Sequence, residues 1–182
     1  MTRSNKILIP IHSEIARIVS NIEGYRAISL PEKEYKFTSV LGSKKIDIAV
    51  LGEDSKLKGA IMFKGIRSEY NKNANNYYEN MKGESSLFLD NGIPVYQIIF
   101  IPIYIKHINS FEKPTEQSFL NYCNFIQFHN SYWDRLKLGI FYFDIDYNNN
   151  YRASYSAKVV PGVEETLTEG VNNFMEEIKR NG

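Results

Sequence analysis

The stretch 44–73, KKIDIAVLGEDSKLKGAIMFKGIRSEYNKN, predicts two neighbouring strands followed by the start of a helix. Asp47 lies between two isoleucines in the first predicted strand, and Lys64 directly follows an apolar run in the second. A charged group inside an apolar strand is costly unless it is paired, binds a metal ion or faces a cleft. Because a short turn joins the two strands, we expect both side chains to lie within a few ångströms of one another.

Hydrophobic periodicity extends this pattern along the chain and predicts helices and strands in a mixed order. The predicted helices are 12–24, 68–89, 113–137 and 162–182, and the predicted strands are 25–30, 33–41, 44–52, 57–68 and 91–105, with a β-hairpin over 138–160. Strand 91–105 is almost continuously apolar, which is typical of a strand covered on both faces. The order predicts one α/β domain over 1–182, a mixed central β-sheet flanked by helices.

Composition excludes several classes of protein. The net charge of +1 excludes a strongly basic nucleic-acid binder, although a local basic surface stays open. Cys123 is the single cysteine, so an internal disulfide and a cysteine-pair zinc site are both excluded. There is no HxxxH spacing, no glycine-rich phosphate loop, no signal peptide and no apolar run long enough to span a bilayer. We therefore expect a cytoplasmic protein without a membrane segment.

Asp47 and Lys64 are the residues of this sequence that most directly indicate a function. Hydrolysis of a phosphodiester with Mg²⁺ needs hard oxygen ligands for the ion and a cation beside the scissile phosphate. Asp47 could supply the carboxylate and Lys64 the ammonium group. The alternative is structural: Asp47 could accept a hydrogen bond from a backbone N–H or form an ion pair with Lys64.

The strand IDIAV, the turn, the strand ending MFK and the helix after it resemble the PD-(D/E)XK nuclease superfamily, over roughly residues 10–105. Its members pair a strand aspartate with an acidic-x-Lys triplet on the next strand. The following helix and the buried strand GIPVYQIIFIP are similar to those of type II restriction endonucleases. The resemblance implies a restriction-endonuclease-like fold, Mg²⁺ as cofactor, double-stranded DNA as substrate, a homodimer and a restriction-modification system.

Two positions depart from the superfamily motif. Ile46 replaces the proline before the aspartate, and Met62, which cannot bind Mg²⁺, occupies the acidic position of the triplet. Some restriction enzymes carry this acid on the following helix, and Glu79 is then the expected second metal ligand, ranking ahead of Glu69, Glu84 and Glu53. The alternative is a degenerate site in a protein that binds DNA or a partner subunit without cleaving.

Glu14 on the first helix also has a counterpart near the metal in this superfamily, or else it interacts with the helix dipole after Ser13.

Residues beside the proposed site could contact DNA, since Arg and Asn can bind base edges while Lys and Ser can hold phosphates. The expected DNA-binding residues are Arg67, Ser68, Lys72, Asn73 and Asn76. A solvated helix face explains each of them equally well. The sequence thus predicts a site with catalytic residues Asp47, Lys64 and Glu79, of which Asp47 and Glu79 bind the metal.

Overall fold

The structure of the protein is a computed structural model, which describes residues 9–65, 70–102, 136–145, 151–159 and 163–181. Its helices are α1 (Ile9–Ser20), α2 (Tyr70–Leu89) and α3 (Leu167–Asn181). Its strands are β1 (Tyr25–Ser29), β2 (Tyr35–Ser39), β3 (Gly42–Ile46), β4 (Ile48–Gly52), β5 (Leu57–Gly65), β6 (Val95–Pro102), β7 (Leu136–Ile145), β8 (Tyr151–Val159) and β9 (Val163–Glu165). Among the residues in these ranges, no helix has the length and hydropathy required to cross a membrane.

The central sheet has seven strands in the order β1-β4-β5-β6-β7-β8-β9. Strands β5, β6 and β7 are parallel, and the remaining neighbours are antiparallel. The parallel pair β5 and β6 is connected through α2, as a parallel connection requires a crossover. The predicted fold class, a mixed central sheet flanked by helices, is confirmed.

Alternate residues of the central strands point to opposite faces of the sheet, so the two faces form separate cores. The core on the α1 and α3 side contains Ile11, Ile15, Ile18, Val19, Ile48, Val50, Ile61, Tyr96, Ile98, Leu167, Val171, Phe174, Met175 and Ile178. The core on the α2 side contains Ile46, Ala49, Leu51, Ala60, Met62, Phe88, Leu89, Ile93 and Val95. Lys64 follows Met62 by two residues and therefore belongs to the α2 face.

Strands β2 and β3 form a separate two-stranded hairpin that packs against the α2-side core. The Phe37 and Phe88 rings make this contact, with centroids 5.4 Å apart. The single strand predicted over 44–52 is wrong, because a bend at Asp47 divides it into β3 and β4. The physical reason is pairing: β3 pairs with β2 in the hairpin, whereas β4 pairs with β1 and β5 in the central sheet.

Three further predictions concern the C-terminal part of the chain. The predicted hairpin is confirmed, since β7 and β8 are antiparallel. The terminal helix begins at Leu167 rather than near 162, because Val163–Glu165 pairs with β8 as β9. Thr166 then caps the helix: its Oγ1 accepts a hydrogen bond from the Glu169 N–H at 3.2 Å, and its own N–H donates to Glu169 Oε2. The helix predicted over 113–137 lies almost entirely outside the described residues.

Candidate active site at the junction of two sheets

Asp47 occupies the bend where the chain passes from the hairpin into the central sheet. Its side chain is half-buried, and its Oδ2 accepts a hydrogen bond of 2.9 Å from the backbone N–H of Phe63. Phe63 directly precedes Lys64, so this bond fixes the aspartate beside the lysine-bearing end of β5. Within the described residues, Asp47 Oδ1 accepts no hydrogen bond and Asp47 forms no ion pair with Lys64.

Burial raises the pKa of Asp47 from 3.8 to about 6. The Phe63 N–H lowers the pKa, while the neighbouring carboxylates Glu34 and Glu84 raise it and Lys44 lowers it. The desolvated carboxylate thus has two other acidic groups within electrostatic reach. Such a group is destabilised as an anion and would gain from a cation placed beside it.

Glu84 of α2 connects the helix to both strands at this site. Its Oε1 accepts a hydrogen bond of 2.6 Å from Lys44 Nζ of β3 and lies 3.6 Å from Lys64 Nζ of β5. The Lys64 and Glu84 side chains are 24% and 21% exposed, so solvent and a ligand can reach both. The structure therefore brings together Asp47, Lys64 and Glu84, with Lys44 as an additional cation that the sequence did not single out.

Glu79 lies on a different part of the surface of α2 and is exposed. Residues five apart on a helix differ in direction by about 140°, so Glu79 and Glu84 do not share a face. The carboxylate beside Lys64 is that of Glu84, which we expected to be a weaker candidate than Glu79. Helical spacing counted from Lys64 could not distinguish Glu79 from Glu84, because the lateral position of α2 over the sheet depends on tertiary packing.

The other acidic candidates lie apart from this junction or outside the described residues. Glu14 is exposed and pairs with Arg17 at 2.7 Å, and hydrogen bonding from the Arg17 guanidinium lowers the pKa of Glu14. Glu53 follows the end of β4 opposite to Asp47. Glu69 is outside the described residues.

Met62 occupies the acidic position of the motif and is 3% exposed, packed in the α2-side core. Its register partner on β6 is Gln97, which is 1% exposed. Gln97 Nε2 donates to Ser85 Oγ at 3.0 Å, while within the described residues Gln97 Oε1 has no partner. The position at which the resembled motif has a carboxylate thus holds a thioether, with an amide as its register partner on β6.

His12 is the histidine that α1 brings towards the site, and sequence reasoning assigned it no role. Its ring is 3% exposed and lies 4.4 Å from the Phe63 ring, centroid to centroid. Neither ring nitrogen has a hydrogen-bond partner within the described part of the chain. Burial lowers the pKa of His12 to about 4, against a smaller raising effect of Glu34. Helical periodicity could have indicated this burial, since His12 precedes the buried Ile15 by three residues and Val19 by seven.

The predicted DNA-binding residues are only partly visible. Arg67 and Ser68 lie outside the described residues. Lys72 and Asn73 belong to α2, but their side chains are not described. Asn76 is exposed on α2. DNA binding by this set stays a prediction.

No protein-family model matches this chain, and no curated protein matches it. A structure of Pyrococcus furiosus SfsA in complex with Ca²⁺ aligns with 82% of this chain and 61% of that chain, at 9% sequence identity and a TM-score of 0.41. The chain thus spans about three fifths of the length of that protein, and the similarity concerns the fold alone.

Proposed function

We propose that the protein is a Mg²⁺-dependent endodeoxyribonuclease that hydrolyses phosphodiester bonds of double-stranded DNA. One observation carries the proposal: the Asp47 carboxylate is hydrogen-bonded to the N–H of Phe63, and the adjacent Lys64 lies 3.6 Å from Glu84. A carboxylate, an ammonium group and a second carboxylate on three different elements thus meet at one partly exposed junction. The resemblance of the strand sequence to the PD-(D/E)XK superfamily supports the same reaction.

The residues fit a Mg²⁺ ion better than a transition metal. Among the described residues, no group of three or more His, Cys, Asp or Glu side chains is close enough to hold a metal by itself. Mg²⁺ is commonly held by one or two carboxylates and keeps several waters, with substrate phosphate completing the shell. Asp47 and Glu84 would be the protein ligands, and Asp47 is deprotonated above its pKa of about 6. Bound Mg²⁺ would neutralise negative charge on the phosphate.

The side chains have separate roles in this proposal. Lys64 stabilises the charge that develops on the phosphate and orients the attacking water. Glu84 holds the Lys64 ammonium group in place and would be the second carboxylate ligand of the ion. Lys44, 2.6 Å from Glu84, lies where it can contact a neighbouring phosphate.

The finer assignment, a type II site-specific enzyme acting as a homodimer, follows from the family resemblance. A two-fold symmetric dimer places one active site on each strand of a palindromic sequence. Sedimentation of the protein with and without a cleaved duplex tests this part separately from cleavage.

Met62 favours a second function, a nuclease fold that binds DNA or a partner subunit without cleavage. A buried methionine cannot be a Mg²⁺ ligand, and the Lys64 ammonium group is already compensated by Glu84. In that case the Lys44–Glu84–Lys64 cluster is a structural ion network that joins α2 to both strands.

Cleavage assays distinguish the two functions. Unmethylated phage DNA is incubated with Mg²⁺ and wild-type protein, Asp47→Ala, Lys64→Ala or Glu84→Gln, with Glu79→Gln as a matched control on the same helix. We expect discrete fragments from the wild type and the Glu79 variant, and none from the other three.

The opposite result is equally informative. If the wild type cleaves no DNA tested and still retards duplexes in a gel-shift assay, the enzymatic function is wrong and the binding function holds. Loss of activity in Glu79→Gln together with full activity in Glu84→Gln would restore Glu79 as the ligand.

A further inference from the structure

The hairpin formed by β2 and β3 ends in a loop with two aliphatic residues that neither the turn geometry nor core packing requires. Val40 and Leu41 form the two-residue loop, with exposures of 101% and 64%. Such loops favour Asn, Asp and Gly, which adopt the required backbone angles easily. Here Gly42, at φ 140°, takes the unusual conformation, and Leu41 N–H donates to Ser39 Oγ. These two exposed aliphatic side chains therefore add neither turn preference nor core packing.

The outward face of the same hairpin is polar and cationic. Cross-strand pairing places Lys36 opposite Lys45 and Thr38 opposite Ser43, and all four residues are exposed. The inward face packs Phe37 against Phe88. Directly opposed like charges destabilise a strand pair. Lys45 is compensated by Glu34 at 2.6 Å, but within the described residues Lys36 has no carboxylate within 4.0 Å.

The base of the hairpin is part of the candidate active site. Strand β3 runs from the loop into Asp47, and its Lys44 contacts Glu84. The five residues of β3 span roughly 17 Å at the rise of a β-strand. A duplex with a phosphate at Asp47 would therefore extend past the hairpin for about five base pairs.

We propose that the β2–β3 hairpin is a DNA-binding arm, an inference that rests on the proposed function because the substrate is the bound partner. Lys36 and Lys45 contact phosphates on its outward face. Val40 and Leu41 enter the minor groove and insert between base steps, as apolar wedges do in proteins that kink DNA. A second copy of the chain is a poorer partner, since its own cationic face would repel this one.

Binding is measured with a fluorescein-labelled mixed-sequence duplex in Ca²⁺, over a range of salt concentrations. Lys36→Gln/Lys45→Gln is compared with Lys56→Gln/Lys58→Gln, which removes the same charge from the turn after β4 and the start of β5. We expect the first variant to bind about tenfold more weakly. The slope of log binding constant against log salt concentration should also decrease in magnitude by about two, because each phosphate contact contributes about one. The control should bind within about twofold of the wild type.

The loop is tested with Val40→Asn/Leu41→Gly, which introduces a preferred turn sequence and should leave thermal stability unchanged or higher. Energy transfer between dyes at the two ends of a short duplex reports the kink. We expect the wild type to shorten the end-to-end distance and the loop variant to lose both the shortening and about tenfold in affinity.

Three results would overturn the inference. If both hairpin variants bind and bend DNA like the wild type and still cleave it, the hairpin is not a DNA-binding arm, and the proposed nuclease function is unaffected. Absence of duplex binding by the wild type would reject both. A loop variant that sediments as a smaller species with unchanged DNA affinity would show a contact between copies of the chain instead.

Discussion

At the scale of single residues, the proposed cleavage chemistry depends on Met62 and Glu84. The motif position on β5 holds an uncharged, buried side chain, and the carboxylate next to Lys64 comes from α2. If Glu84 replaces the missing acid, an acid returned to position 62 should compensate for its loss. If Glu84 only neutralises the two lysines, an acid at position 62 should change nothing.

We predict that Glu84→Gln lowers the cleavage rate at least about a hundredfold, because the proposed second metal ligand, which also holds the Lys64 ammonium group in place, is lost. Adding Met62→Glu to this variant should recover about tenfold of the rate, which equals about 1.4 kcal/mol of barrier. Cleavage of a defined fragment under single-turnover conditions measures both. The same Met62→Glu change added to Glu79→Gln should give no gain, and an equal gain there would contradict the replacement.

Asp47 and His12 both titrate abnormally, and their effects on stability have opposite signs. The folded pKa of Asp47 is raised to about 6, so the folded state binds more protons than the unfolded state between about pH 3.8 and 6. Stability from this group therefore increases as the pH falls through that window. The folded pKa of His12 is lowered to about 4, so stability from His12 decreases as the pH falls from about 6.5 to 4.

Asp47→Asn in metal-free buffer should stabilise the protein by about 1–3 kcal/mol at neutral pH, because a buried charge is removed. Asparagine keeps an oxygen that can accept the Phe63 N–H. The gain should disappear below about pH 4, where Asp47 is protonated in the folded and unfolded states alike. Urea unfolding at several pH values in EDTA measures the difference from the wild type. A gain that is independent of pH would show that the pKa of Asp47 is not raised.

His12→Leu should show the reverse dependence. At neutral pH we expect a gain of about 1–2 kcal/mol, since the two unpaired ring nitrogens are removed from the interior. As the pH falls from 6.5 to 4, the gain should grow by about 3 kcal/mol, because protonation favours the unfolded wild type. The same urea series provides the measurement. A gain that shrinks in acid would place a proton acceptor beside His12.

At the scale of elements, sequence patterns predict the positions of strands that are set by the burial of their own side chains. Alternation and apolar runs place β4, β5 and β6 within a few residues of their observed positions, because burial selects the same side chains in any sheet. The bend at Asp47 is invisible to such patterns, since it results from β3 and β4 pairing with different partners. Glu84 rather than Glu79 meets Lys64 because of how α2 lies over β5, a tertiary property that helical spacing alone does not contain.

Gly59 illustrates the same dependence on packing. A Cβ at this position of β5 would lie 2.5 Å from Ile178 Cδ1 and 3.2 Å from Phe174 Cζ, both buried on α3. Gly83 on α2 would meet nothing within 4 Å. We predict that Gly59→Ala destabilises the protein by about 1–3 kcal/mol through overpacking.

Gly83→Ala is the matched control and should stabilise by about 0.5–1 kcal/mol through helix propensity. Denaturant midpoints at constant slope measure the pair. Equal effects of the two substitutions would mean that α3 does not approach β5 this closely.

At the scale of the whole molecule, the candidate site lies at the junction between the hairpin, the central sheet and α2. Asp47 is tied to the sheet, Lys44 to the hairpin and Glu84 to the helix, so a ligand held by these residues would connect three elements. Desolvation of the Asp47 carboxylate costs stability at neutral pH, and a bound cation would offset this cost. Binding of a divalent ion and stability of the fold should therefore be coupled.

If Asp47 and Glu84 bind a divalent ion, Ca²⁺, which also takes oxygen ligands, should raise the melting temperature of the wild type by roughly 5–10 °C at a hundredfold excess over its dissociation constant. Asp47→Asn should melt higher than the wild type without metal and should gain almost nothing from Ca²⁺, because the ligand is lost along with the buried charge. The two melting temperatures should then converge or cross as Ca²⁺ is added. Glu79→Gln should follow the wild type throughout. If the melting temperatures of the wild type and Asp47→Asn rise in parallel as Ca²⁺ is added, Asp47 is a structural aspartate and not a metal ligand. The reason is that Ca²⁺ stabilises the fold through the carboxylate at position 47 only if that carboxylate binds the ion.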